Sequence, residues 1–136
     1  MFEKGTAVLS DYPVAAMVPV SDLDRAGKFY GEVLGLREVQ ATENESRTYE
    51  CGAGTTLELY RTRVGVAAGH TECGWEVDDI ERVVGQLRDA GVTFDDYDLG
   101  DGVSTVNGVA IIGDERAAWF KDPDGNVLAV FQSADR

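Results

Sequence analysis

The sequence is poor in histidine, cysteine and positive charge. Its 136 residues include one His, two Cys and 12 Lys plus Arg, against 25 Asp plus Glu. The formal net charge of −13 argues against a nucleic-acid partner, which needs clustered Lys and Arg, and against anionic membrane surfaces. The same charge would attract a cationic small molecule, although an acidic surface also serves solubility alone.

The scarcity of cysteine and of long apolar runs excludes further classes. Cys51 and Cys73 form no Cys-x-x-Cys pair, so no zinc ribbon or redox motif is predicted, and we expect two reduced thiols. No apolar run approaches the roughly 18 residues that a membrane-spanning helix needs. Residues 1–6 carry charge and lack an apolar segment, so we expect no signal peptide and a cytoplasmic protein.

A length of 136 residues predicts a single domain. Within this domain the sequence contains an internal repeat. The segment VSDLDR at residues 20–25 recurs as VDDIER at residues 77–82. Each copy follows a strand-like run and precedes apolar residues spaced as on one face of a helix. The repeat predicts two modules, at about residues 8–63 and 69–133 of a domain that covers residues 1–136.

The predicted elements give the same order in both modules. A helix is expected over 22–34 with Ser21 as N-cap, and another over 79–90 with Asp78 as N-cap. The expected strands are 14–20, 36–41, 47–51 and 55–61, then 71–77, 93–97, 116–121 and 126–132. Residues 100–114 are a Gly-rich connection and are predicted to form a mobile loop over a cavity. The pattern therefore indicates an α+β fold of two βαβββ modules.

Two motifs carry a family resemblance. Residues 20–35 are similar to V-x-D-L-x-x-x-x-x-F-Y-x-x-x-L-G, and residues 120–126 are similar to F-x-D-P-x-G-N. In this order they resemble the glyoxalase / bleomycin-resistance / extradiol-dioxygenase superfamily, also called vicinal oxygen chelate proteins. The resemblance implies curved mixed sheets around a cavity, and a homodimer. It says little about the reaction, because the fold hosts many functions.

The resemblance also implies four inward-facing positions where metalloenzyme members carry His, Gln or Glu. In this sequence they match Ala15, Glu58, Glu72 and Ala129. Alanine cannot bind a metal, so we expect the tight metal site to be absent and predict no cofactor. Alternatively, Glu58 and Glu72 would hold a divalent cation weakly, with much water. The single histidine, His70, is interpreted as a surface or loop residue in preference to a ligand.

The remaining residues predict a cleft for an organic molecule. Glu58 and Glu72 would face one cavity, as a general base or as a seat for a cationic group, unless they are solvated at strand ends. Residues two apart on a strand share a face, which gives these expected ligand-binding residues: Met17, Thr56, Tyr60, Trp119 and Phe131. Trp119 and Phe131 could instead fill the core or a dimer interface.

Three functions stay open at this point. The first is metal-independent binding of a small organic molecule, with a cationic one among the possibilities, as in the bleomycin-resistance branch. The second is an enzyme of the superfamily, a lyase, isomerase or dioxygenase, with an altered metal site or a glutamate base. The third is a structural or regulatory dimer with a filled cavity.

Overall fold

This computed structural model describes residues 8–62, 69–100 and 102–133. They form two β-sheets, each with a helix packed on one face. The end of the first predicted module at residue 63 lies outside these ranges. The first sheet has the order β1-β4-β3-β2, with β1 parallel to β4. Its elements are β1 (Ala15–Val20), α1 (Leu23–Gly27), a π-helix that continues it (Lys28–Val33), β2 (Arg37–Thr42), β3 (Ser46–Glu50) and β4 (Thr56–Arg61).

The second sheet is longer, with the order β5-β11-β10-β9-β8-β7, and β6 pairs with β10 beside β9. Its elements are β5 (Thr71–Glu76), α2 (Ile80–Asp89), β6 (Phe94–Asp95), β7 (Asp98–Gly100), β8 (Val103–Val106), β9 (Val109–Ile112), β10 (Glu115–Lys121) and β11 (Val127–Gln132). The predicted α+β class with two curved mixed sheets is confirmed. None of the described helices is long and apolar enough to cross a membrane.

The prediction that residues 100–114 form a loop is wrong, because the segment contains two strands. Strands β8 and β9 occupy most of this segment and pair antiparallel, with Val106 opposite Val109. The two residues between them, Asn107 and Gly108, both have positive φ (54° and 83°), as a tight hairpin turn requires. The second module therefore carries extra strands and departs from a plain βαβββ order.

Both predicted helix caps are wrong by one residue. The carboxylate of Asp22 accepts a hydrogen bond from the Arg25 N–H at 3.0 Å, and that of Asp79 accepts one from the Arg82 N–H at 3.2 Å. An aspartate three residues before an open amide is a good cap, so each helix begins one residue later than predicted. Ser21 makes a different bond and donates its hydroxyl to Asp124.

The core lies between the helices and one face of both sheets. It is a single cluster of buried side chains from both modules, including Val18, Val20, Leu57 and Leu59 of the first sheet and Phe120, Leu128 and Val130 of the second. Strands β1 and β5 adjoin where the modules meet. Alternate residues on these strands point the other way, onto the face that no helix covers, which we call the open face.

The two motifs of the sequence meet at a buried carboxylate. Asp122 is 5% exposed, and its oxygens accept hydrogen bonds from the Tyr30 hydroxyl at 2.7 Å and from the backbone N–H groups of Asp124 and Asn126, both at 2.9 Å. The Asn126 amide donates to Asp122 and to the carbonyl of Pro19, each at 2.8 Å. We call this set the module clasp, because it ties β1 and the first helix to the last hairpin.

Burial raises the pKa of Tyr30 far above its usual range, and the neighbouring Asp122 carboxylate adds to the effect. The phenol therefore stays protonated and remains a hydrogen-bond donor to Asp122 at any physiological pH.

Removing one donor from the module clasp should destabilise the fold. In Tyr30→Phe the Asp122 carboxylate loses one charge-assisted hydrogen bond in a buried setting, so the free energy of unfolding should fall by about 1.5–3 kcal/mol. Urea denaturation followed by circular dichroism measures this difference. Tyr60→Phe is the matched control, since the Tyr60 side chain is 37% exposed and should change stability little. Equal stabilities of the two variants would contradict the role of the clasp.

Candidate functional site

The first sheet presents four of the predicted site residues on the open face. In the parallel register Ala15 lies beside Thr56, Met17 beside Glu58, and Pro19 beside Tyr60. The intervening residues Leu57 and Leu59 are buried on the helix side. Met17 is 57% exposed and Glu58 is half-buried. Met17, Thr56, Glu58 and Tyr60 therefore form one contiguous surface, open in the single chain.

The second sheet presents Trp119 and Phe131 on its open face. Trp119 lies opposite Ala129, and Phe131 lies opposite Ala117. Gly74 of β5 pairs with Ala129 from the other side, and a Cβ added at Gly74 would lie 3.1 Å from the Ala129 carbonyl oxygen. A floor of glycine and alanine thus separates the larger side chains.

Sequence reasoning missed two features beside Trp119. The Tyr97 ring meets the Trp119 ring edge to face, with centroids 5.6 Å apart. The Lys121 ammonium pairs with Asp95 at 2.7 Å, and the hydrogen bond that it donates to this carboxylate raises the pKa of Lys121. Tyr97 ends a predicted strand, but its partner depends on the pairing of β6 with β10. That pairing is not visible in the local sequence.

Glu72 lies at an irregular point of β5. Thr71 pairs with Val127 and Cys73 pairs with Leu128, so Glu72 is the extra residue of a β-bulge. It is half-buried, whereas Cys73 packs against the core on the helix side. A bulge re-aims a side chain, and here it falls on one of the four positions that the family resemblance marks.

Small cavities lie where the modules meet. Thr56, Cys51, Cys73 and Gly74 line one of about 260 Å³, and Phe131 and Gly74 line a larger crevice of about 690 Å³. Thr56 and Phe131 therefore border cavities at the seam. The roles predicted for these residues, and for Glu58 and Glu72, stay predictions.

The residues present do not fit the four-ligand metal site of the family. Ala15 and Ala129 have no donor atom. Within residues 8–62, 69–100 and 102–133, no three His, Cys, Asp or Glu side chains are grouped so that they could hold a metal ion. His70 is exposed, and its Nδ1 lies 3.4 Å from the Thr71 carbonyl oxygen. A metal held at this face by three or more protein ligands would need some of them from outside the described residues of one chain.

Comparison with known proteins identifies the family. The model of the Glyoxalase/Bleomycin resistance protein/Dioxygenase superfamily matches residues 13–130, and the chain belongs to this superfamily. Among curated proteins, a "Probable lactoylglutathione lyase" of Vibrio parahaemolyticus is 30% identical over 131 residues, covering 86% of this chain and 87% of that protein. The lactoylglutathione lyase of Haemophilus influenzae is 32% identical over 123 residues, covering 80% of this chain and 83% of its own.

Solved structures agree with the family. An antibiotic binding protein from Streptomyces sp. CB03234 has a TM-score of 0.67 at 26% identity, covering 90% of this chain and 95% of its own. A superfamily member from Sphaerobacter thermophilus has a TM-score of 0.63 at 28% identity, with 90% and 97% coverage.

The Cys73 thiol should react slowly in the folded protein. Burial, with smaller contributions from Cys51 and Glu72, raises the pKa of Cys73 from 9.0 to about 12. At pH 8 the thiolate, which is the reactive form, should be roughly 1000-fold rarer than in an unfolded chain. In Cys51→Ser, alkylation by iodoacetamide should be at least about 100-fold slower in buffer than in guanidinium.

This rate should keep rising with pH up to about 12, because only there does half of Cys73 ionise. Cys73→Ser, which keeps Cys51, is the companion variant. A native rate for Cys73 equal to the rate in guanidinium would refute its burial.

Proposed function

We propose that the chain binds a small organic cation on its open face, without a metal, and that a homodimer closes this face into a cavity. The observation that carries the proposal is the aromatic pair of Trp119 and Tyr97 beside the small residues Ala129 and Gly74. The family resemblance implies a metal ligand at the position of Ala129. The proposal also assigns the protein to the cytoplasm, in keeping with two free cysteines.

Charge and ring chemistry favour a cationic ligand. Glu58 and Glu72 are half-buried carboxylates on or beside the open face, and the net charge of −13 adds a long-range attraction. A cation over the face of a Trp or Tyr ring gains about 0.5–2 kcal/mol, more when water is excluded. The aromatic side chains would hold the body of the ligand, and the carboxylates would hold its charge.

Exposure of apolar side chains supports the dimer. Met17 is 57% exposed and Tyr60 is 37% exposed in the single chain, and both lie on the face that would bind the ligand. A ligand site buries most of its ligand, which an open sheet face alone does not do. A second copy laid over this face would cover these side chains and supply the missing wall.

A relative supports the binding function. One of the similar structures, at 26% identity and with nearly equal chain coverage, is described as an antibiotic binding protein. We extend this description to the present chain as a small-molecule binding role, with the ligand's chemistry argued from the residues above.

Binding should be visible at Trp119 and should depend on the carboxylates. In Trp75→Phe, where Trp119 is the single tryptophan, bleomycin and benzyltrimethylammonium should change the emission saturably and raise the melting temperature. Glu58→Gln and Glu72→Gln should each weaken binding about tenfold, and salt should weaken it further.

Glu43→Gln serves as the control, because this exposed glutamate lies between β2 and β3, outside the two sheets. If neither cation binds, or if Glu43→Gln weakens binding as much as the other two variants, the cation site is refuted. If analytical ultracentrifugation shows only a monomer, the part of the proposal that a homodimer closes the cavity is refuted.

An enzymatic function is the second candidate, favoured by the two curated relatives named lactoylglutathione lyases. Glu58 or Glu72 would then serve as a general base on the open face. Elemental analysis of the purified protein and an assay for S-lactoylglutathione formation or cleavage separate the candidates. We expect substoichiometric metal and no turnover. Stoichiometric metal with turnover lost in Glu58→Gln would favour the enzyme and overturn metal-free binding.

A further inference from the structure

A further cavity lies on the helix side of the second sheet. It is a crevice of about 200 Å³ between the end of the first helix and α2. The residues that line it come from three places: Leu34 and Leu36 at the end of the first helix, Val83 and Leu87 of α2, and Trp75, Val77, Phe120 and Val130 in or next to the second sheet. Phe120 is buried in the core while its neighbour Trp119 faces the other way, so this crevice and the Trp119–Tyr97 pair lie on opposite sides of the second sheet.

We propose that this helix-side crevice binds a small, uncharged, single-ring aromatic molecule. Every side chain that lines it is apolar, and none can donate or accept a hydrogen bond except the Trp75 indole N–H. A polar or charged ligand would lose its hydration there without replacement. An enclosed apolar cavity of about 150 Å³ binds benzene. This crevice of about 200 Å³ is open to solvent on one side and has room for a single ring.

The residues around the crevice further limit the charge and the size of the ligand. The crevice shares Trp75, Val77 and Val83 with the larger one beside it, whose lining includes Glu76 and Asp78. These carboxylates and the net charge of −13 disfavour an anionic aromatic such as benzoate. A protein partner is also disfavoured, because a specific interface buries about 800 Å² on each side, whereas this volume admits roughly one aromatic side chain.

The two tryptophans of the chain allow a direct test, since Trp75 lines the crevice and Trp119 lies on the open face. The probe is bromobenzene, which fits the crevice and quenches an indole in contact with it. In Trp119→Phe, where Trp75 remains, quenching should saturate and be accompanied by a higher melting temperature. In Trp75→Phe, where Trp119 remains, quenching should stay weak and linear with concentration. Benzoate at equal concentration should not protect Trp75 from bromobenzene, whereas toluene should.

A phenylalanine placed inside the crevice can be compared with one placed at an exposed position of the same helix. Val83→Phe places a ring inside the crevice and should abolish saturable quenching of Trp75, with at least a tenfold loss of affinity. Gln86→Phe adds the same ring to an exposed position of α2 and should leave binding unchanged. Leu36→Phe fills the crevice from the other wall and replaces Val83→Phe if that variant does not fold.

Three results would overturn the proposal. They are equal, unsaturable quenching of both tryptophans, saturable quenching that survives the crevice-filling substitutions, and binding of bromobenzene at Trp119 alone. A fourth result would also overturn it: Trp75 emission that changes with protein concentration while bromobenzene does not bind. That result would mean that a side chain of a second copy fills the crevice.

Discussion

The structure depends on the hydrogen bonds that the buried carboxylate of Asp122 accepts. An ionised aspartate removed from water with no partner would destabilise a fold by several kcal/mol. Asp122 avoids this through a phenol from the first helix, an amide from the last hairpin and two backbone N–H groups. Because the donors come from both modules, the carboxylate fixes their relative position. The adjoining of β1 and β5, the common core and the shared open face all follow from that position.

The same arrangement gives the second sheet two chemically different sides. Trp119 and Phe120 are neighbours in the chain, yet Trp119 packs against Tyr97 and pairs with Asp95 in the strand register, whereas Phe120 is buried among apolar side chains of the core. The first environment suits a charged aromatic ligand and the second an uncharged one. A single sheet can therefore support two binding properties that do not compete for residues.

Local patterns predicted much of this molecule, and non-local contacts account for what they missed. The alternation of Leu57, Glu58 and Leu59 correctly assigned the buried and open faces of β4. Ser21 was the wrong cap because its hydroxyl is used by Asp124, more than one hundred residues away in the chain, which no window around the helix reveals. The Asn107-Gly108 turn, by contrast, was a readable hairpin signal that the glycine-rich composition of its segment obscured.

The candidate site divides in the same way. Alternation along the strands predicted that Met17, Thr56, Glu58 and Tyr60 share one face, and the register of β1 and β4 places them side by side because strand periodicity is rigid. Their roles stay predictions. The Trp119–Tyr97 contact and the helix-side crevice result from strand pairing and helix packing, so the sequence alone could not indicate them.

The module clasp also determines when folding can be completed during synthesis on the ribosome. Tyr30 and Asp122 are separated by 92 positions, and Pro19 and Asn126 by 107. The first helix and strand leave the ribosome long before the hairpin that holds them. Contacts of such long range close late and slow folding. Until residues 122–126 emerge, the first module exposes the apolar side of its helix, and during this interval the nascent chain is most vulnerable to aggregation or proteolysis.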